Sequence, residues 1–284
     1  MKVPIHTNAK TIESIQSADT YPHILEEIKL ARANEIRFLN VMSGEPEVSK
    51  KAQSIRALKI FQSEVGYNPH DEDARAYVIW DLNLHSNGEL YRLIPIPEEY
   101  RHAHIFKTVD GVMPAISATI TPAGTITEPH IDQGGSGTLL FEIMGKKVFV
   151  IWPPTPKNLE WFAPLYGLHY GAFFTSAIEH LEQAECHVLE QGQHYLLQPG
   201  YIHGVLSATN SAVAGVPIVG EGLRSDANRT MDWESALVGM RKERRKPREI
   251  ETVAGIEAGL EEDMELWRQL ESLQHNMDSR QDPK

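Results

Sequence analysis

A single cysteine, Cys186, stands in a chain of 284 residues. That excludes an internal disulfide and a zinc cluster built from cysteines, and it predicts a reducing compartment, cytoplasmic or nuclear. No apolar run approaches the roughly 20 residues needed to cross a bilayer. The opening MKVPIHTNAK has no apolar stretch of the signal-peptide kind. Positive charge is scarce, with 27 Lys and Arg against 39 Asp and Glu and a formal net charge of -12. A surface of that sign repels nucleic acid and anionic lipid, so neither is expected as a partner. Internal repeats and low-complexity tracts are also missing. What remains, 41% hydrophobic and 23% charged, is ordinary globular composition with enough apolar residues for a substantial core.

The chain changes texture twice. YPHILEEIKLARANE spaces Ile24, Ile28, Leu30 and Ala31 as an amphipathic helix, with Asp19 and Thr20 available as N-caps. SKKAQSIRALKIFQSEVG repeats the pattern through Ile55, Leu58, Ile60 and Phe61 and stops at Gly66. From about Ala76 the pattern becomes short apolar runs broken by Gly, Pro, Asn and Asp, among them AYVIWDLNL, GTLLFEIMG, KKVFVIWPP and HGVLSA. Closely spaced strands without intervening helices predict a β-sandwich or barrel. After Asp226 a helical stripe returns through Ile250, Val253, Ile256, Leu260, Met264, Trp267 and Leu270. The expected organisation is a helical region over 1–75, a β-rich core over 76–225 and a helical region over 226–284.

TEPHIDQGG carries the first sign of chemistry. If Pro129 to Asp132 runs extended, His130 and Asp132 project on the same side, since side chains two apart share a face. An imidazole and a carboxylate are two of the three donors of a facial triad that leaves metal positions open. The third donor must come from elsewhere. His203 in LLQPGYIHGVL has the best setting, because the Pro199–Gly200 turn feeds an apolar strand that would deliver it into a sheet. His169, His180, His187 and His194 stand in more polar or irregular surroundings.

HIDQGGSGTLLFEIMGKKVFVIWPPTPKNLEWF followed by GQHYLLQPGYIHGVLSA resembles the core of a JmjC-domain oxygenase, over about Ala115 to Gly215. The nearest branch is the histone lysine demethylases that carry PHD or F-box modules. The resemblance implies a double-stranded β-helix, or jelly roll, that binds Fe(II) through His130, Asp132 and His203 and uses 2-oxoglutarate and O2. It places a lysine for the far carboxylate of 2-oxoglutarate at Lys147, although strand alternation alone does not say whether Lys147 or Lys146 faces inward. Thr127 matches a threonine that holds the same carboxylate. It lies three positions from His130, so an unbroken strand would separate the two, and Pro129 is where a bulge would reconcile them.

Departures from the demethylase pattern bear on the substrate. Leu140 replaces a tyrosine near 2-oxoglutarate, GVPIVGEG replaces a glycine-glycine-asparagine segment, and no cysteine-rich reader module accompanies the core. These favour a small-molecule or amino-acid substrate, hydroxylated or oxidatively rearranged. The alternatives are a protein hydroxylase or histone lysine demethylase, and a JmjC module that binds metal without turnover. RKERRKPR, from Arg241 to Arg248, is an import signal, a nucleic-acid contact or a solvated linker. The C-terminal stripe is either core packing or the seam of a homodimer.

Overall fold

The computed structural model describes residues 20–30, 77–94, 96, 116–132, 136–166, 173–218 and 223–243, and the backbone of short strands at 5–6, 10–11, 37–40 and 46–48. In chain order its strands are β1 (Ile5–His6), β2 (Lys10–Thr11), β3 (Arg37–Asn40), β4 (Pro46–Val48), β5 (Tyr77–Asn83), β6 (Ser117–Thr121) and β7 (Ile126–His130). There follow β8 (Gly137–Met144), β9 (Lys146–Trp152), β10 (Glu185–Glu190), β11 (Gln193–Leu197), β12 (Ile202–Ser207) and β13 (Ser211–Ile218). Helices α1 (Tyr21–Leu30), α2 (Glu89–Leu93), α3 (Pro156–Phe162), α4 (Phe174–His180) and α5 (Arg224–Glu243) flank them.

Two sheets form, with strand orders β1-β10-β9-β12-β7 and β2-β11-β8-β13-β6-β5-β3-β4. From β6 to β13 the chain alternates between them in the jelly-roll manner, placing β6, β8, β11 and β13 in one wall and β7, β9, β10 and β12 in the other. The expected mainly β fold with flanking helices is what the structure has. Pairing within these walls is antiparallel, and the added β1 joins β10 in parallel.

Three apolar clusters fill the spaces between layers. Leu139, Phe141 and Ile143 of β8 pack outward with Ile120, Ala212 and Ala214, against Ile24 and Ile28 of α1 and Leu90 and Tyr91 of α2. Behind the second wall, Trp152 and Ile202 meet Leu159 and Phe162 of α3, Ala177 of α4, and Ala227, Met231 and Leu237 of α5. Between the walls lie Leu140, Phe149, Ile151, Leu189, Leu197, Val205 and Val213. Because β8 is covered on both sides, its sequence reads as a continuous apolar run rather than an alternation. Gly145 turns β8 into β9 at φ 85°, a left-handed conformation that disfavours any side chain.

The first helix forms where expected, yet Leu30 is 52% exposed while Glu27 is buried. Glu27 accepts hydrogen bonds from the His85 backbone N–H at 3.0 Å and meets the His85 ring at 2.8 Å, which explains a carboxylate on the inner face of α1. The Thr20 hydroxyl donates to the Ile143 carbonyl at 3.0 Å and ties the helix start to β8. The region 1–75 also contributes β1 to β4 to the two sheets and so is not purely helical. The helix expected at 49–66, the stripe after residue 250 and Arg244 to Arg248 lie outside the described residues. No helix among the described residues is long and apolar enough to cross a membrane.

Candidate metal centre

The end of β7 and the start of β12 are adjacent, with His130 and His203 directly opposite one another. Their rings are 4.1 Å apart between centroids. Asp132 follows two residues after His130, and its Oδ1 lies 3.8 Å from Nε2 of each histidine. One donor atom from each of the three residues falls within 4.8 Å of the others. The far side of each ligand is also held. His130 Nδ1 pairs with the Glu128 carbonyl at 2.9 Å and His203 Nδ1 with the Tyr201 carbonyl at 3.3 Å. A carbonyl only accepts, so in both rings the proton sits on Nδ1 and the Nε2 lone pair turns inward. Thr138 donates to Asp132 Oδ2 at 2.5 Å, leaving Oδ1 directed at the histidines.

These are the partners that metal-ligating side chains ordinarily have behind them. Two neutral nitrogens and one carboxylate oxygen suit a divalent ion of the Fe(II) type and leave the other side of the ion open. Electrostatics favour the protonation states that a metal would require of these side chains. Burial depresses the His203 imidazole to about 4, helped by His130 and opposed by Asp132. Burial alone would raise the Asp132 carboxyl, but His203, His130 and the Thr138 hydroxyl outweigh it and hold it below the usual range.

Deeper between the walls, Lys147 is 2% exposed and shares a face with Phe149 and Ile151 of the inner cluster. Lys146 points the other way and pairs with Glu190 at 2.5 Å on the surface. The alternation left open by the sequence is therefore resolved: Lys147 faces the chamber. Burial lowers its pKa, and Glu142 counteracts that. Ser207, directly opposite Lys147, meets Thr121 oxygen to oxygen at 2.7 Å, and Thr121 meets Ser211 at 3.1 Å. One end of the chamber is thus polar, with the histidines and Asp132 at the other.

Thr127 reaches the His130 face through an irregularity. His203 pairs with His130 but Val205 pairs with Thr127, so Gly204 alone spans Glu128 and Pro129. That bulge shifts the alternation by one and sets Thr127 opposite the inward Val205. The Thr127 side chain remains exposed at the edge of the sheet.

Sequence reasoning missed Glu142. It is fully buried and opposes the inward-facing Val213. Burial raises its carboxyl well above the usual range, with Lys147 pulling it back. A lone acid inside GTLLFEIMG was the available signal. His187, Tyr195 and Glu185 were also missed as a group. His187 lies 4.5 Å from Tyr195 between ring centroids, and its Nε2 is 3.1 Å from Glu185 Oε2.

No family model matches the chain. It is 33% identical over 96 residues to mouse "Lysine-specific demethylase 2B", covering 32% of this chain and 7% of that protein. It is 32% identical over 119 residues to Caenorhabditis elegans "JmjC domain-containing histone demethylation protein 1", covering 41% of this chain and 10% of that protein. A protein of the same description from Candida glabrata is 30% identical over 95 residues, 31% of this chain and 22% of its own length. Over the matched stretch the core is similar to those of JmjC-domain proteins. The matched stretch spans about a tenth or less of the mouse and nematode relatives and about a fifth of the yeast one. In this core Leu140 faces inward, and directly across from it on β11 stands Tyr195.

Proposed function

We propose that the chain is an Fe(II)- and 2-oxoglutarate-dependent oxygenase acting on a protein side chain, with the N-methyl group of a lysine in a basic, histone-like peptide as the favoured target. The observation that carries the oxygenase reading is the convergence of the His130, His203 and Asp132 lone pairs, each backed by its own hydrogen bond. In this reading those three residues hold the metal, and Lys147 and Thr127 receive the far carboxylate of 2-oxoglutarate. The metal with its keto acid and O2 supplies the oxidising power for a C–H bond. The protein's own contribution is to hold Nε2 deprotonated, orient Asp132 through Thr138, and present a buried cation at the polar end of the chamber.

The substrate reading differs from the one the sequence favours. Leu140 and the GVPIV segment suggest an apolar chamber, but Val216 and Ile218 pack into the outer cluster beside α2 rather than between the walls. Tyr195 supplies a phenol opposite Leu140, and Glu185, His187 and Tyr201 lie in the same neighbourhood. Phenols and a carboxylate are suitable company for an alkylated ammonium. The relatives named for lysine demethylation support a protein substrate over a metabolite. An acidic chain also steers a basic peptide towards itself, and a histone-like target implies a nuclear setting. Oxidation of an N-methyl C–H bond gives a hydroxymethyl amine that breaks down to formaldehyde and the free amine. The test is formaldehyde release from methyl-lysine histone peptides, measured beside His130→Ala. Stimulation of 2-oxoglutarate consumption by metabolites alone would restore the small-molecule reading, and no consumption with either would leave a metal-binding module.

A further inference from the structure

Glu142 is 0% exposed, and neither carboxylate oxygen has a hydrogen-bond partner among the described residues. It comes from β8 in one wall and Lys147 from β9 in the other, on either side of the Gly145 turn. The two influence each other electrostatically without a direct hydrogen bond. Nearby hydroxyls do not serve the acid: Thr121 pairs with Ser207 and with Ser211, and none of the three reaches Glu142. Lys147 therefore shares the buried space between the walls with an acid whose carboxylate oxygens have no hydrogen-bond partner among the described residues.

An anionic ligand reaching Lys147 also enters the electrostatic reach of Glu142, which acts on that lysine. If Glu142 were ionised, two carboxylates would confront one ammonium away from water, which is strongly unfavourable. If it were protonated, its O–H would donate to the incoming carboxylate, and that end of the complex would be neutral.

We propose that Glu142 is a second anchor for the far carboxylate of 2-oxoglutarate and works in its protonated form, so that cosubstrate binding retains that proton and, on the alkaline side where the free protein has lost it, takes one up. This rests on the cosubstrate reading of the chamber given above. Lys147 is the charged group facing Glu142. His194 on the neighbouring β11 lies against Phe141 on the other face of the sheet, while Tyr195 stands opposite Leu140 and His187 opposite Phe149, both further towards the metal end. Rising pH removes the proton that Glu142 needs in the complex, so affinity for 2-oxoglutarate falls as pH rises. Glutamine, which donates without titrating, reproduces the protonated acid.

The test is calorimetric titration of the Mn(II)-loaded full chain with 2-oxoglutarate under anaerobic conditions, from mildly acidic to mildly alkaline pH, in buffers of differing ionisation heat. On the alkaline side the native protein should take up more protons than Glu142→Gln and weaken by up to about tenfold per pH unit, the limit for one linked proton. Glu142→Gln should be nearly flat with pH and bind more tightly than the native protein on the alkaline side. Glu142→Leu, also flat but weaker than the glutamine variant, keeps the test open should that variant fail to fold. Proton uptake and pH profiles that are the same in the native protein as in Glu142→Gln or Glu142→Leu would overturn the inference while leaving the cosubstrate reading intact. A native protein that binds Mn(II) but no 2-oxoglutarate at any pH would instead overturn the reading on which it rests.

Discussion

Nε2 of His203 and Oδ1 of Asp132 stand 3.8 Å apart, beyond hydrogen-bond reach, although each residue is anchored at its other end. Two donors that could have bonded to one another are instead held separate and convergent. A bound proton between them would be the simpler structural solution; the spacing suits a shared ion.

Metal retention is the first expectation. His130→Ala, Asp132→Ala and His203→Ala should each lose bound Fe(II) or Mn(II) as read by metal analysis after dialysis. Thr138→Ala should keep the ligands but weaken the metal by roughly 10- to 100-fold, the usual effect of removing a partner behind a ligand. Unchanged affinity in either Asp132→Ala or His203→Ala would refute the assignment.

The two adjacent lysines give a paired comparison. Lys147→Ala removes a buried cation whose partners then stand uncompensated, a loss of about 3–5 kcal/mol in binding an anionic ligand. Its affinity for 2-oxoglutarate should therefore fall by orders of magnitude with metal binding preserved. Lys146→Ala, which cuts only a surface pair to Glu190, should behave as the native protein does. Equal losses in the two variants would remove the basis for a special role of Lys147.

Acid should destabilise the metal-free protein. The His203 imidazole falls from its ordinary 6.5 to about 4 in the folded chain, so between those values the unfolded chain binds a proton that the folded one does not. Stability then rises with pH across that window and is lost as pH drops through it. Thermal melting of the metal-free protein should show this fall, and it should shrink in His203→Gln. A melting temperature independent of pH over the same window in the native protein would contradict the assignment.

The jelly roll and the convergence of His130, Asp132 and His203 were legible because they depend on short-range order. Alternation sets His130 beside Asp132, and Pro199–Gly200 launches the strand that carries His203. The face of Lys147 was not legible, because β9 is covered on both sides: its inner residues enter one cluster while Trp152 enters another. Only the placement of the second wall breaks that symmetry. The bulge at Gly204 had a local sign in Pro129, but its effect on Thr127 depends on pairing with β12. Glu142 beside Lys147 joins residues from opposing walls, and periodicity within one strand carries no information about the wall opposite.

Substrate charge supplies the last expectation. Glu185, His187 and Tyr195 come from β10 and β11, with His187 bonded to Glu185 and its ring tilted by 45° against that of Tyr195. Burial, Glu185 and Tyr201 together push the Tyr195 phenol up to about 12, so it remains neutral, an aromatic face and a hydroxyl rather than an anion. The carboxylate of Glu185 then supplies the negative charge that a methylated ammonium would seek, and the phenol supplies its ring. Glu185→Gln keeps the shape and removes the charge. It should raise the KM for a methyl-lysine peptide by roughly tenfold, the worth of about 1.4 kcal/mol, while uncoupled 2-oxoglutarate turnover in the absence of peptide stays at the native rate. Tyr195→Phe, which retains the ring, should lose less. If Glu185→Gln left the peptide KM untouched, the cluster would not be the ammonium site; if it abolished uncoupled turnover as well, Glu185 would be serving the metal or cosubstrate instead.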